Sequence, residues 1–421
     1  MMTQAFYTGI SGLRSGQAAI DITSNNVANI STVGFRGYNA EFSNMFEDVL
    51  SASGGSSVSA NSIGIGAQLQ SSTMNTQTGS FALSDRSTDM ALEGDGWFGV
   101  MDDNGEAMYT RAGAFTFDQN SDLVNPVGEY VLGTMAGNID LTSNIVTNDA
   151  QEVALGDVGE VQKLSFPNTL TYPPEPTTNA SFAGNIGTEN EVRTIGAGVI
   201  DPQGNKNHLK LTFSNPQITA AGTQWDVVAT TETLDGTTIY DTQSGVVNFN
   251  TDGSIVSTTL TSINNNGAQV SMDLGSGYTG VTSIANTPIS SSSSSDGTQG
   301  GDLVGYDVNR NAEVVATFSN GKQVSIAQIA VFHFRNNQGL ERVSGTNFKE
   351  TPNSGDAFFM QNEEGENIIG AQLATYRLEN SNVAMEEALT QLIVLQRSFD
   401  ANSKSITTAD QMMQKALNMD A

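Results

Sequence analysis

Few residues in this chain have the type and spacing to do chemistry. They are two histidines, His208 and His333, an oxygen-rich run at Asp118, Asn120, Asp122 and Glu129, and a glycine bend at Gly94-Asp95-Gly96. Both histidines sit in strand-like runs and the chain has no cysteine, so a zinc site or a thiol nucleophile lacks its ligands and partners. Asp118, Asn120, Asp122 and Glu129 fall at positions 1, 3, 5 and 12 of a calcium-loop pattern. Position 6 is Leu123 where the loop's sharp bend calls for glycine, Pro126 lies inside, and the flanks read as strands rather than helices. A turn between strands is the better account. Gly94-Asp95-Gly96 runs into Trp97-Phe98 without the strand-to-helix setting that a phosphate loop needs. Serine and aspartate are plentiful, but a triad is a matter of geometry and two histidines give it little to work with. The sequence therefore predicts no catalytic residue, no cofactor and no metal site.

Composition narrows the partners. The 421 residues carry 17 Lys plus Arg against 45 Asp plus Glu, a net charge of −28. A phosphate backbone or an anionic membrane surface is repelled by such a chain, so nucleic acid is excluded as a partner. No run approaches the ~18 apolar residues of a membrane helix, so membrane insertion is not expected. The first cation is Arg14 and no sustained apolar run follows Met1. That is not the pattern of a cleaved secretory signal, and the chain is expected to be cytoplasmic or exported by a route that reads none. With 43 glycines, many Ser, Thr and Asn and no cysteine, the composition suits a turn-rich β protein without disulfides.

What must position anything in this chain lies at its two ends. Leu378, Met385, Leu392, Phe399, Ile406 and Met413 recur every seven residues, and Ala388, Leu395, Ala409 and Ala416 fall three places after four of them. This is a heptad seam on a helix over 382–417, ~50 Å long, and it demands a partner. Asn380-Ser381-Asn382 offers capping side chains, and Glu386 and Glu387 lie where the helix dipole favours anions. Residues 3–30 repeat the pattern with Phe6, Leu13, Ile20 and Val27, and Ile10 adds a second row. Gly9, Gly12 and Gly16 each cost such a helix about 1 kcal/mol, yet they permit close helix approach. The terminal seams are expected to pair with each other, within or between copies.

Between them the pattern is β. Short strands are expected around Gly94-Asp95-Gly96, at 108–111 and at 114–117, with a tight hairpin at Asn104-Gly105. Pro167, Pro173, Pro174 and Pro176 mark a boundary. Strand-like runs at 209–213, 224–229, 246–249 and 254–257 follow, and the six serines 290–295 with Asp296-Gly297 read as a flexible exit. Strands resume at 313–318 and 323–332. The fold class is thus mainly β with α-helical termini: paired, coiled-coil-like N- and C-terminal helices and two discontinuous antiparallel β-domains, the second inserted in the first. The expected divisions are a helical assembly domain at 1–35 and 377–421, an extended connector at 36–72, an inner β-domain at 73–150 and 302–376, and an outer β-domain at 151–301.

The ends also carry recognisable words. Ser11-Gly12-Leu13, Ile20 to Asn29 with Ser24, Asn25, Asn26 and Asn29, and Thr32-Val33-Gly34-Phe35-Arg36 resemble the opening signature of the bacterial flagellar axial proteins, the rod and hook family. Glu379 to Val383 with Asn382, the run from Gln396-Arg397 through Phe399 to Asn402-Ser403-Lys404, and Thr408 to Met412 with Asp410 resemble its closing signature. Phe318 to Lys322, Asn337 to Leu340 and Thr351 to Gly355 resemble the hook branch, which has an inserted outer domain. The resemblance implies a subunit that polymerises with itself into a curved, flexible hook, a universal joint that transmits torque. The terminal helices, with Leu378, Met385, Leu392, Leu395, Phe399, Ile406 and Met413 facing Phe6, Leu13, Ile20 and Val27, would form its inner tube. It further implies extracellular placement after export without a cleaved signal, and as partners the distal rod, hook cap and hook–filament junction proteins and the flagellar export apparatus. A rod or minor hook-like component, an acidic β-rich surface adhesin and a calcium-dependent hydrolase are the alternatives; an adhesin should show an anchor or signal, and a hydrolase an active-site constellation.

Overall fold

In the computed structural model, residues 2–48, 62–150 and 152–419 are described. Helix α1 spans Met2–Ala28 and helix α2 spans Met385–Met419, and the two pack against each other. At 35 residues α2 is ~52 Å long. Between them the chain is β.

The helix does not begin where the capping residues stand. Its first backbone bond runs from Ala388 to the Ala384 carbonyl, 2.9 Å. Leu378, assigned to the heptad seam by spacing, lies instead in the strand Arg377–Glu379, paired with Ala82 opposite. Periodicity alone cannot register that Glu379 must be held in a strand, for the reason given below. Asn382 does not cap either, because its side chain is taken up by the backbone groups of Gly37, Asn75 and Gln77.

Residues read as an extended connector form a long antiparallel hairpin. Strand β1, Tyr38–Asp48, pairs with strand β2, Ser62–Met74, with two bulges, and α1 lies along both. Glu41 on β1 accepts hydrogen bonds from Ser71 and Thr73 on β2, a cross-strand set that alternating polar residues can make. The serine-rich run 51–57 lies outside the described residues.

The inner body is one large sheet that draws on both halves of the chain. Its core combines Met90, Leu92, Phe98, Val100 and Phe115 with Val314, Phe318, Val324, Ile326 and Ile329, all buried. Leu164, Phe166, Leu170 and Tyr172, which the sequence reading placed in the outer domain, pack in this inner core. The neck between the bodies therefore falls later than residue 151, beside Pro173, Pro174 and Pro176, where the prolines prevent the ladder from continuing. Outward of it lies a second core around Trp225, Phe213, Leu211, Val227 and Phe182. One face is a five-stranded meander, Arg193–Ile200, Lys206–Thr219, Gly222–Thr233, Ile239–Phe249 and Ile255–Thr258. Leu209, Leu211 and Phe213 point inward on alternate residues, as a half-buried strand requires. On the other face Asn179–Asn185 runs parallel to Ala268–Asp273 and Val281–Thr282.

The serines do not form a loose exit. Ser292–Ser295 pairs antiparallel with Ala180–Ala183, and Ser293 and Ser295 donate through their hydroxyls to the carbonyls of Gly196 and Gly198, 2.6 and 2.7 Å. Small hydroxyl side chains close a sheet edge here against glycines that leave them room. Next to them Asp296 closes the neck, accepting from the backbone N–H groups of Thr178 (2.8 Å) and Asn179 (3.0 Å) and from the Thr178 hydroxyl (2.6 Å).

One local device recurs through both bodies. Six turns, opening at Asp102, Asp118, Asn125, Asp201, Asn309 and Asn362, share one pattern: the side-chain Oδ1 of the first residue accepts from the N–H groups two and four residues on. The fourth residue has positive φ, as Gly105, Ser121, Gly128, Gly204, Ala312 and Gly365 do. This is the type I turn with a bulge that three-residue hairpin loops favour. The calcium-like spacing from Asp118 to Glu129 is two such turns in succession, and Glu129 accepts from Asn347, 2.7 Å, on a distant strand.

Burial pulls the Asp296 carboxyl upward, but the hydrogen bonds from Asn179 and Thr178 outweigh it and hold its pKa at about 2. A depressed carboxyl stabilises the fold fully above the unfolded value of ~3.9 and loses that contribution as pH falls through the folded one. The urea midpoint of Asp296→Asn should therefore lie below that of the parent by a constant amount above pH 5, and the gap should close as the pH approaches 2.

Candidate assembly interface

The helix pair is built on close approach. A Cβ added at Gly9 would lie 2.6 Å from Ile406 Cγ1, and one added at Gly12 would lie 2.6 Å from Asn402 Nδ2. The glycines that weaken α1 as an isolated helix are thus where α2 lies nearest. Gly16 has open space and no such reason. Along α2, Ala388 and Ala409 are buried, and Leu392, Leu395, Phe399, Ile406 and Met413 are half-buried. Met385 is exposed. On α1, Phe6, Leu13, Ile20 and Val27 are likewise half-buried. Two helices alone cannot enclose a seam, so much of each side chain keeps contact with water.

On its other side α1 meets the hairpin. Ser15 donates to the Ser11 carbonyl, 2.6 Å, and lies 3.4 Å from the Ala67 carbonyl. A side chain at Gly66 would collide with Ser11 Oγ. At the far end Asn26 exchanges two hydrogen bonds with the Tyr38 backbone, 2.7 and 3.0 Å. Asn29 caps the helix end through the Asn25 carbonyl and side chain, 2.9 and 2.6 Å.

The turn that follows is locked to the inner body. Gly34 has φ +69° and donates to the Glu379 carbonyl, 2.7 Å; a Cβ there would lie 2.3 Å from the Ala112 nitrogen. Only glycine fits both the left-handed conformation and the approach. Phe35 is buried, with the Arg342 guanidinium 4.8 Å over its ring. Asn382 reaches across from the start of α2, accepting from Gly37 N and donating to the carbonyls of Asn75 and Gln77, all 2.8 Å.

At the centre of this junction one carboxylate serves two cations. Glu379 lies 3.2 Å from Arg36 and 3.0 Å from Arg111, all three buried, and also accepts from Gly79 N, 2.9 Å. Arg111 spends its remaining donors on the carbonyls of Leu92 (3.2 Å), Gly94 (2.9 Å) and Gly96 (2.6 Å). The glycine bend therefore cradles a guanidinium of its own chain. Burial, with Arg111 alongside, brings the Arg36 guanidinium down to about 10, against the pull of Glu379 and Asp95. It stays charged at neutral pH. Sequence reasoning met all three residues as parts of separate words; opposite charge was the available signal, but nothing local joins positions 36, 111 and 379.

The junction words of the hook branch have a similar task. Gln338 clamps both backbone groups of Met74, 2.8 and 2.7 Å, at the foot of the hairpin, while Asn337 accepts from Trp97 Nε1, 3.1 Å. Other signature residues face outward: Ser24, Asn25, Gln396, Arg397 and Asp410 are exposed, and Ser403 is half-buried. His333 is buried among strands, with Nε2 2.8 Å from the Ile369 carbonyl. No group of three or more metal-binding side chains occurs among the described residues.

Three family descriptions match the chain: flagella basal body rod protein over residues 6–36, flagellar hook protein FlgE/F/G D1 domain over 91–163, and flagellar basal body rod FlgEFG protein C-terminal over 374–419. These fall on α1 with its locked turn, on the inner body, and on α2. The flagellar hook protein FlgE of Borreliella burgdorferi is 29% identical over 99% of this chain and 100% of its own length, and that of Escherichia coli K12 is 27% identical over the same shares. The two ends and part of the inner body thus match flagellar rod and hook proteins, and the chain is similar to hook proteins along nearly its whole length. A solved structure, flagellar hook protein FlgE2 of Helicobacter pylori, shares the fold with a TM-score of 0.50 over 71% of this chain and all of that one, at 15% identity.

Removing one partner of a buried ion cluster leaves uncompensated charge and costs about 3–5 kcal/mol. Glu379→Ala, which leaves Arg36 and Arg111 facing each other, should lower stability by that amount in chemical unfolding. Glu93→Ala, which breaks a pair with Arg377 that is exposed on both sides, should change it by less than about 1 kcal/mol.

Proposed function

We propose that this chain is the structural subunit of a bacterial flagellar hook, polymerising with itself into a flexible tube that carries torque from rod to filament. The observation that carries the reading is the helix pair itself: two seams joined by glycine contacts, each still half-open to water, on a chain that matches hook proteins along nearly its whole length. Neighbouring copies would complete the burial that one chain cannot. The two β cores, joined by a neck near Pro176 and Asp296, would form outer shells that shift against one another as the tube bends.

This role places the subunit in the external hook, delivered by the flagellar export apparatus without a cleaved signal. At its ends it would meet the distal rod, the hook cap and the hook–filament junction proteins. Rod and hook proteins are structural, and at the junction Asn26, Gln338, Glu379 and Asn382 each hold backbone or other side chains.

The test is assembly. Sulfate strengthens apolar burial by exclusion from protein surfaces, so concentrated purified chain in ammonium sulfate should form short curved tubes in electron micrographs. A chain lacking residues 2–28 should form none while keeping the near-ultraviolet circular dichroism of its β cores. Straight rigid rods would favour a rod component, and monomer under all conditions would overturn the reading.

A further inference from the structure

Beside the helix pair lies a groove that the described residues leave open. It has a volume of about 780 Å³, between α1 and the hairpin, and is lined by Tyr7, Ile10, Arg14, Met45 and Leu69. Tyr7, Ile10 and Arg14 recur at spacings of three and four on α1, continue through Gln17, Asp21 and Ser24, and are all exposed. Arg14 is the only cation in α1.

A matching face exists on α2, off the seam that meets α1. Glu386, Leu389 and Ile393 are spaced by three and four residues and are all exposed. Resting on the assembly reading, we propose that the groove receives this Glu386–Leu389–Ile393 face from a second copy of the chain, with the helices antiparallel. Tyr7 then faces Ile393, Ile10 faces Leu389, and Arg14 faces Glu386. Both sets span ~10 Å of helix, so apolar meets apolar and cation meets anion in one register. Antiparallel helix dipoles also attract. The parallel alternative sets Arg14 against Ile393 and leaves both charges unmatched.

The contact cannot form within one chain. Gly9 lies against Ile406, and Leu389 is ~25 Å further along the helix. Each α1 would thus be held by two α2 helices, its own on the glycine side and a neighbour's in the groove, which links copies head to tail.

Because the sequence has no cysteine, the contact can be read by crosslinking. Equal amounts of Ile10→Cys and Leu389→Cys chains are polymerised together and oxidised. A disulfide-linked pair containing one of each is expected, and the double variant should give a ladder of multimers. Tubes that yield no mixed pair, or yield Ile10→Cys pairs alone, overturn the proposal. Should the cysteine variants not polymerise, charge reversal decides. Arg14→Glu and Glu386→Arg should each raise the concentration needed for tubes by roughly tenfold, and the two together should return it to near the parent value. A double reversal no better than the singles overturns the pairing. If the unaltered chain forms no tubes, the assembly reading itself has failed, which is a different result.

Discussion

The constraint on which this structure depends is the burial of Glu379 between Arg36 and Arg111. One residue follows the N-terminal helix, one belongs to the first pass of the inner sheet, and one immediately precedes the C-terminal helix. A carboxylate removed from water requires compensation, and here two guanidiniums and a backbone N–H supply it. The two cations, in turn, are held by carbonyls of Leu92, Gly94, Gly96 and Thr76 and of Gln77. Glu379 makes these contacts from an extended strand, Arg377–Glu379, paired with Phe81–Leu83. That is why α2 starts six residues later, at Met385, and why Leu378 departs from the helix that its spacing suggests.

The junction converts a pair of helices into a lever with a fixed foot. Gly34, Asn26, Asn382 and Gln338 bind backbone rather than side chains, so the geometry of the helix exit, the hairpin foot and the inner sheet is set by groups that cannot change rotamer independently. Force applied along α1 and α2 would reach the inner body through this knot. The outer body is attached quite differently, through a proline-rich neck and the Asp296 clamp. A stiff inner joint and a narrow outer one are what a bending tube with sliding shells calls for.

Legibility in the sequence followed the range of the interaction. Helices announce themselves within one heptad, so α1, α2 and their packing against each other were readable from the repeats, although Met385 at the start of α2 is exposed. Turns announce themselves within five residues, and the Asx-type pattern explains both the Asn-Gly signals and the misleading calcium spacing at Asp118. The ladder of Ser292–Ser295 was not readable, because its stability comes from carbonyls of Gly196 and Gly198 nearly a hundred residues away. The inner placement of Leu164 to Tyr172 was hidden in the same way. The Arg36–Glu379–Arg111 cluster lies furthest beyond local reading, since its three members are separated by most of the chain. The signature words around Gly34 and Asn382 marked the place without giving the physics.

The half-buried seam is the remaining tension in the fold, and it has a direction. Ile10, Leu389 and Ile393 are exposed apolar residues; single ones are ordinary on any surface, but rows of them at helical spacing mark a face that can take a partner. Here they recur on both helices, beside charges of opposite sign, while the rest of the surface carries the strong net negative charge that keeps soluble copies apart. General repulsion with local complementarity discourages random aggregation and permits one ordered contact. Gly9 and Gly12 belong to the same logic: they weaken α1 as a solitary helix and give it a close partner instead. The stability of each end is thereby made conditional on neighbours, first its own chain's other end and then another copy's.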